Sequence, residues 1–398
     1  MNKAFFLTSG PPVPVVGARR IRDAQIITAL AKIMPVEVLC IAESSDLPPI
    51  QEQANAFFGP NVQVSCHSWN PPGLASKAIN IIRPDFAQNY SDSIEHYLKS
   101  RAQPGDLLWL SRLRMAKYLG LGHKLGCHTI LDEHQVESDV LFDNAFTKVK
   151  YWHQGLTAAQ CAIYEKKLCY EAEIVVTSSE IDAARMGKLA PRSKIKVIPH
   201  AIPTALYELP QTTPPVEKKQ ILFFGDFDYR PNQQALEWFT DEILPRLQAN
   251  MPEKCPEIAV ASSTEESKNK IENLDSHIHF YHYESTEELL DIFNRSIVVV
   301  FPLRYGRGNR INVLEALSAG MPIVSTGRGV DGLVLKPSYD ICIAEEEDAF
   351  ASFVLKVIRD SGYRQSLSTH AKQTARELYD WKETDGAIKR VLAEWISF

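Results

Sequence analysis

Within residues 300–333 the chain reads VFPLRYGRGNRINVLEALSAGMPIVSTGRGVDGL, an apolar run ending at Pro302, a turn with Gly306 and Gly308, and helical spacing from Arg310. Glycines ahead of a helix let backbone N–H groups approach an anion, and the helix dipole favours negative charge at that end. Arg304, Arg307 and Arg310 surround the turn with forked donors that match phosphate oxygens. On the helix, residues three and four apart share a face. Gly308, Asn312, Glu315 and Ala319 therefore line one side, and Val313, Leu314 and Leu317 pack inward. An ionised Glu315 there accepts hydrogen bonds from two vicinal hydroxyls, as on a ribose. Solvated charges on an ordinary loop explain one such arginine better than they explain the whole set.

A turn of this kind needs a strand before it and a helix after it. Short apolar runs predict strands at 3–8, 36–41, 106–110, 129–132, 174–177 and 195–198, with a helix at 20–32. The stretch 203–219 carries four prolines and no sustained period, and reads as an interdomain linker. A second series follows, with strands at 221–224, 258–261, 277–281, 297–301, 322–325 and 341–343. Its helices are expected at 233–248, 287–294, 310–319, 348–359 and 364–378, before an amphipathic segment at 381–395. Strands separated by helices imply parallel pairing through right-handed crossovers. The expected class is α/β, with two Rossmann-like, doubly wound domains. Such sheets bind ligands beyond the carboxyl ends of their strands, and two facing one another enclose a cleft.

The chain's 398 residues suit two domains rather than one core. Its net charge of −6 gives no basic field for nucleic acid, so no nucleic-acid partner is expected. The cysteine count is seven, with no C-x-x-C spacing, which favours reduced buried thiols over disulfides or a zinc site. Nor is there a dense Asp/Glu/His cluster with metal-ligand spacing, so no metal is expected. The apolar run at 4–7 is too short for a secretory signal or a spanning helix. The expectation is a cytoplasmic protein, with peripheral association at the inner membrane face left open.

The 300–333 segment resembles the signature of the large group 1 family of retaining glycosyltransferases with the GT-B fold. One branch of that family has the form P-L-R-x-G-x-G-x-R-x-K-x-L-E-A-x-A-x-G-x-P-V-V-S-T-x-x-G-x-E-G-L. The resemblance implies that Glu315 holds the ribose of a nucleotide-diphosphate sugar, and that Arg304, Arg310 and the glycine turn face its diphosphate and sugar. Residues 223–239, FFGDFDYRPNQQALEWF, resemble the first strand, glycine turn and helix of the family's donor domain. There Gly225 permits close approach, and Asn232 is placed to cap the helix.

Residues 11–30, PPVPVVGARRIRDAQIITAL, resemble the loop and helix that reach sugar and phosphate across the cleft, through Gly17 and Arg20. Solvated helix-start charges are the other reading of Arg19, Arg20 and Arg22. Residues 131–138, LDEHQVES, match the branch's D-x-x-x-V-E-S element. This makes His134 a candidate for bonding a donor hydroxyl or the acceptor, with Glu137 orienting it, or else a structural histidine. Glu165 matches a recurrent Y-E pair that helix packing explains as well. The end of the chain resembles a crossover helix returning to the first domain. The expected domains are 1–205 with 380–398 on the acceptor side, and 218–379 on the donor side.

The resemblance implies hexosyl-type transfer with retention, without a metal or resident cofactor, to a glycan, lipid-linked or small-molecule hydroxyl. Branch members often take part in polysaccharide biosynthesis. His134 and Arg310 are the catalytic candidates, with Arg310 stabilising the departing diphosphate. Several positions depart from the pattern. Arg307 stands where the wider family has a glutamate, and Asn312 where the branch has lysine. His200 and Ala201 replace an Asn-Gly pair, and Asp226 and Asn232 occupy places where many members carry Arg and Lys. A catalytically silent scaffold and a nucleotide-sugar isomerase are the alternatives these departures leave.

Overall fold

The computed structural model describes residues 3–42, 44–70, 90–146, 152–208, 220–227, 229–251, 256–271, 278–306 and 310–396. The 209–219 part of the expected linker, Arg307 and Gly308 lie outside them. Among the described residues the strands form two sheets. The first contains β1 (Ala4–Thr8), β2 (Val36–Ile41), β3 (Val62–His67), β4 (Leu107–Ser111), β5 (His128–Glu133), β6 (Ile174–Thr177) and β7 (Ile195–Val197), in the order β3-β2-β1-β4-β5-β6-β7. The second contains β8 (Gln220–Phe224), β9 (Glu257–Ser262), β10 (Ile278–His282), β11 (Ser296–Phe301), β12 (Ile323–Ser325) and β13 (Cys342–Ile343), in the order β10-β9-β8-β11-β12-β13. Every pairing in both sheets is parallel.

Helices cover both faces of such sheets, so central strands are apolar on both sides. β1 (AFFLT) and β8 (QILFF) are buried at every residue. This is why both are legible as continuous apolar runs. β3 (VQVSCH) carries Gln63 and Ser65 on an edge, and the sequence reading missed it. The expected helix at 233–248 is interrupted. Helix Arg230–Trp238 passes through a five-residue π turn, Phe239–Ile243, into helix Leu244–Asn250. Pro245 follows that turn; lacking an N–H, it cannot continue the α ladder.

The final helix, Trp381–Leu392, returns to the first sheet. Ala387, Ile388, Val391 and Leu392 join the apolar cluster of β1, β2 and β4. The Trp381 indole N–H donates to the Ala201 carbonyl at 2.8 Å, and Trp395 stacks on His128 at 4.7 Å. Where the chain crosses between lobes its two passes are bonded together. The Ile202 N–H donates to the Tyr379 carbonyl, and the Trp381 N–H to the Ile202 carbonyl. The six described cysteines are free thiols. Among the described residues no helix is long and apolar enough to cross a membrane.

Helix Ala18–Ala31 is fixed to the first sheet by a charge that water does not reach. Arg22 is 0% exposed and donates to the Ile198 carbonyl at 2.8 Å, the Pro199 carbonyl at 3.1 Å and Asp132 at 3.1 Å. Asp132, equally buried, also accepts from the Trp109 indole at 3.3 Å. Arg22 is therefore not a solvated helix-start charge. Arg22→Met would strand the Asp132 carboxylate, and removing one partner of such a pair costs about 3–5 kcal/mol. Urea denaturation should show that loss, and Arg22→Met with Asp132→Asn should recover most of it.

Candidate functional site

The carboxyl ends of β1, β4 and β5 face those of β8, β9 and β10 across a cavity of about 470 Å³. From the first lobe it is lined by Gly17, Arg19 and Arg20 after β1, Arg112 after β4, and His134 and Gln135 after β5. From the second come Gly225, Asp226, Tyr229 and Asn232 after β8, Ser263 and Thr264 after β9, Tyr283 after β10, and Asn312.

Gly17 has φ 80 and sits at the start of helix Ala18–Ala31 with no side-chain cap, so the first N–H groups of that helix are open to a ligand. A Cβ on Gly17 would stand 3.5 Å from the Ser263 hydroxyl of the other lobe. Gly225, with φ 153, is more tightly constrained, because a Cβ there would lie 2.7 Å from the Asn312 amide and 2.9 Å from the Asn232 amide. The Asn312 amide donates to the Phe224 carbonyl at 3.2 Å. Asn232 lies inside the first turn of its helix rather than capping it, and donates to the Asp226 carbonyl at 2.7 Å.

His134 is buried at the cavity edge, with Nε2 3.2 Å from the Ser111 hydroxyl and 3.7 Å from Asp23. Burial, then the charges of Arg112 and Arg22, holds its pKa well below the usual histidine value, so it is a neutral imidazole at neutral pH. The Ser111 hydroxyl donates to Asp23 at 2.5 Å, and Asp23 also takes Arg19 at 3.1 Å and the Thr8 hydroxyl at 2.7 Å. Arg19 is thereby committed to the first lobe. Glu137, expected to orient His134, pairs instead with Arg112 at 3.0 Å. Glu165 caps the helix Glu137–Phe146, accepting from the backbone N–H groups of Glu137 and Ser138 at 2.8 and 3.3 Å.

The residues of the glycine-turn motif fall differently. Arg310 is 7% exposed, and its guanidinium donates to the Arg328 carbonyl at 2.7 Å and the Gly306 carbonyl at 3.4 Å. It ties the turn down and does not line the cavity. Arg304 is exposed, and its guanidinium lies 5.3 Å from the Trp238 ring centre rather than in the cleft. Gly306, at φ 91, permits close approach to Pro231 and the Tyr229 hydroxyl.

Glu315 is 1% exposed and also stands behind the cavity lining, where Oε1 accepts from the Tyr207 hydroxyl at 2.9 Å. Among the described residues its Oε2 makes no hydrogen bond. A partnerless buried acceptor beside the cleft is what an incoming hydroxyl would satisfy. Helix periodicity put Glu315 on the lining face with Asn312; the structure has Asn312 on the cavity and Glu315 behind it, bonded to Tyr207, 108 positions away. Arg112, Ser263 and Tyr283 were also missed. Arg112 carried a signal, since it directly follows the apolar strand LLWLS, where doubly wound sheets place functional groups.

Two facing doubly wound sheets with a cleft between their carboxyl edges define a GT-B protein. The chain is similar over its whole length to solved structures with that fold. It covers 99% of sucrose-phosphate synthase from Thermosynechococcus elongatus, and 99% of this chain is matched, at 15% identity and a TM-score of 0.74. For HepE of Anabaena in complex with UDP and glucose, 99% of this chain and 100% of that one align, at 12% identity and a TM-score of 0.67. For the E. coli trehalose-6-phosphate protein bound with UDP-2-fluoro glucose the shares are 98% and 99%, at 12% identity and a TM-score of 0.65. An uncharacterized 44.6 kDa protein in the cps region of Klebsiella pneumoniae is 24% identical over 253 residues, 62% of each chain. Residues 218–360 match the family described as glycosyl transferases group 1. The chain therefore has the GT-B fold, and part of its second lobe is similar to the glycosyl transferases group 1 family.

Burial pushes the Glu315 carboxyl up to about 7, against the Tyr207 hydrogen bond that lowers it. A carboxyl that is neutral when folded and ionised when unfolded binds an extra proton in the native state, so stability falls as pH rises from about 4.5 to 7. Glu315→Gln should remove about 1–3 kcal/mol of that fall. Urea denaturation of both proteins at pH 5 and pH 8 measures it, and equal slopes would place the titration elsewhere.

Proposed function

We propose that the chain is a nucleotide-diphosphate-sugar-dependent glycosyltransferase that moves a hexosyl group with retention, and without a metal, to a hydroxyl of a glycan, lipid-linked or small-molecule acceptor. The observation that carries this reading is the shared cavity, into which the backbone of Gly17 and Gly225 opens from opposite lobes. Gly17 admits a diphosphate to backbone N–H groups at a helix start, and arginines beside it oppose its charge. Such preorganised donors stabilise a leaving group as its charge develops. His134, uncharged, then serves as a hydrogen-bonding partner of a sugar or acceptor hydroxyl rather than as a cation. Glu315 would offer Oε2 to a ribose hydroxyl while Tyr207 holds Oε1.

The bound UDP and sugars named for HepE and the trehalose-6-phosphate protein support a nucleotide-sugar donor. The relative named for a cps region supports polysaccharide biosynthesis as the setting. A lipid-linked acceptor would bring the chain to the inner membrane face from the cytoplasm. A second reading, a silent scaffold, is favoured by the internal partners of Arg310 and Glu315.

Thermal shift with UDP-, GDP- and ADP-sugars tests the proposal. A ligand at 100 times its Kd stabilises by about 2.7 kcal/mol, and Gly225→Ala should abolish that stabilisation. A flat response to all three in the parent protein supports the scaffold. In a donor-only incubation, slow release of free sugar fits transfer, and an altered sugar still on its nucleotide fits an isomerase. Activity surviving EDTA, and an NMR coupling constant showing the donor's anomeric configuration in the product, test the metal and stereochemical parts.

A further inference from the structure

Arg112 holds a backbone conformation that L residues rarely adopt, with φ 71 directly at the end of β4 and on the cavity. Strain of this kind persists where surrounding structure over-determines it, and it concentrates at ligand sites. Two contacts of Arg112, one of them braced from behind, hold it here. The Arg112 N–H donates to the Asp132 carbonyl at 2.9 Å, and its Nη2 is 3.0 Å from Glu137. Glu137 is itself fixed, because the buried Glu165 takes its N–H together with the N–H and hydroxyl of Ser138. The Nε and Nη1 groups of Arg112 make no hydrogen bond within the protein among the described residues.

The opposite wall makes this placement informative. Where the wider family's pattern has Arg and Lys, the second lobe presents Asp226 and Asn232, and Asn312 replaces a lysine. Among the described residues, the arginines lining the cavity, Arg19, Arg20 and Arg112, belong to the first lobe. Arg19 is bonded to Asp23, and Arg20 has no ion pair among the described residues.

We propose that Arg112, held in its strained pose by Glu137 and Glu165, is a phosphate-binding residue of this cleft, with Arg20 beside it. Among the described residues, the arginine charge that faces a bound phosphate thus comes from the first lobe. Glu137 and Glu165 are positioning residues. The inference rests on the nucleotide-sugar reading for the donor's diphosphate, and a phosphate on an acceptor presents the same chemistry.

Isothermal titration separates these. The parent protein and Arg112→Gln are titrated with UDP, GDP and ADP, with the matching nucleosides, and with inorganic phosphate after saturation with whichever nucleotide binds. Loss of one charge-assisted contact should weaken diphosphate binding about 10- to 100-fold and leave nucleoside binding unchanged. The same loss confined to inorganic phosphate assigns Arg112 to the acceptor. Parent-like affinity in both arms overturns the inference while leaving the nucleotide reading intact. A parent protein that binds no nucleotide overturns that reading, and inorganic pyrophosphate then tests Arg112 alone, with no difference from Arg112→Gln sinking the inference as well.

Arg112→Gly guards against misfolding, since glycine takes φ 71 without strain. Its Tm should equal or exceed the parent's while the phosphate contact is lost. A lower Tm with diphosphate and nucleoside weakened alike would make Arg112 merely structural. Glu137→Gln should cost about threefold in diphosphate affinity and nothing in nucleoside affinity.

Discussion

The Arg22 guanidinium, entirely out of contact with water, joins three pieces of chain on which the first wall of the cleft depends. It belongs to helix Ala18–Ala31, whose start carries Gly17, Arg19 and Arg20. Its carboxylate partner, Asp132, lies in β5, two residues before His134. Its carbonyl partners, Ile198 and Pro199, follow β7 and precede the crossing to the second lobe. A buried guanidinium is tolerable when it is ion-paired and hydrogen-bonded, as Arg22 is through both terminal nitrogens, Nε alone lacking a partner among the described residues. Satisfying Arg22 therefore fixes the distance between the glycine loop and the histidine, and the departure point of the chain, together.

Around that anchor the polar groups of the first lobe form a connected set, in which Asp23 gathers Thr8, Arg19 and Ser111, and Ser111 touches His134. Networks of this kind give side chains single orientations, because each alternative leaves a buried group unsatisfied. The second lobe is built otherwise. Its contribution is backbone geometry at Gly225 and neutral amides at Asn232 and Asn312. The cleft thus combines a rigid wall carrying arginines with one whose charged lining residue, among the described residues, is Asp226.

The sequence made the sheets legible where strands are apolar on both faces, as in β1, β8 and β11. It concealed β3, whose edge position admits polar residues, and the π turn before Pro245, which only breaks a period that continues on either side. The glycines of the cleft, Gly17 and Gly225, were readable because their need for space is local. Arg310 and Arg304 were not, since a guanidinium at the end of a long flexible stem can reach several partners, and which one it takes depends on the tertiary surroundings. Arg310 found the Arg328 carbonyl and Arg304 the Trp238 ring. Tyr207 shows the same limit from the partner's side, since it sits near the linker, far from Glu315 in sequence.

The returning helix Trp381–Leu392 has a consequence for the order in which the molecule is made. Its apolar residues are part of the first lobe's core, yet the ribosome delivers them after the whole second lobe. Synthesis is vectorial, and domains generally fold as units while the chain emerges. Here the lobe that starts first finishes last. Until Ile388, Val391 and Leu392 arrive, one side of its apolar cluster stays open to water, and the nascent chain carries that exposed surface throughout translation of the other half.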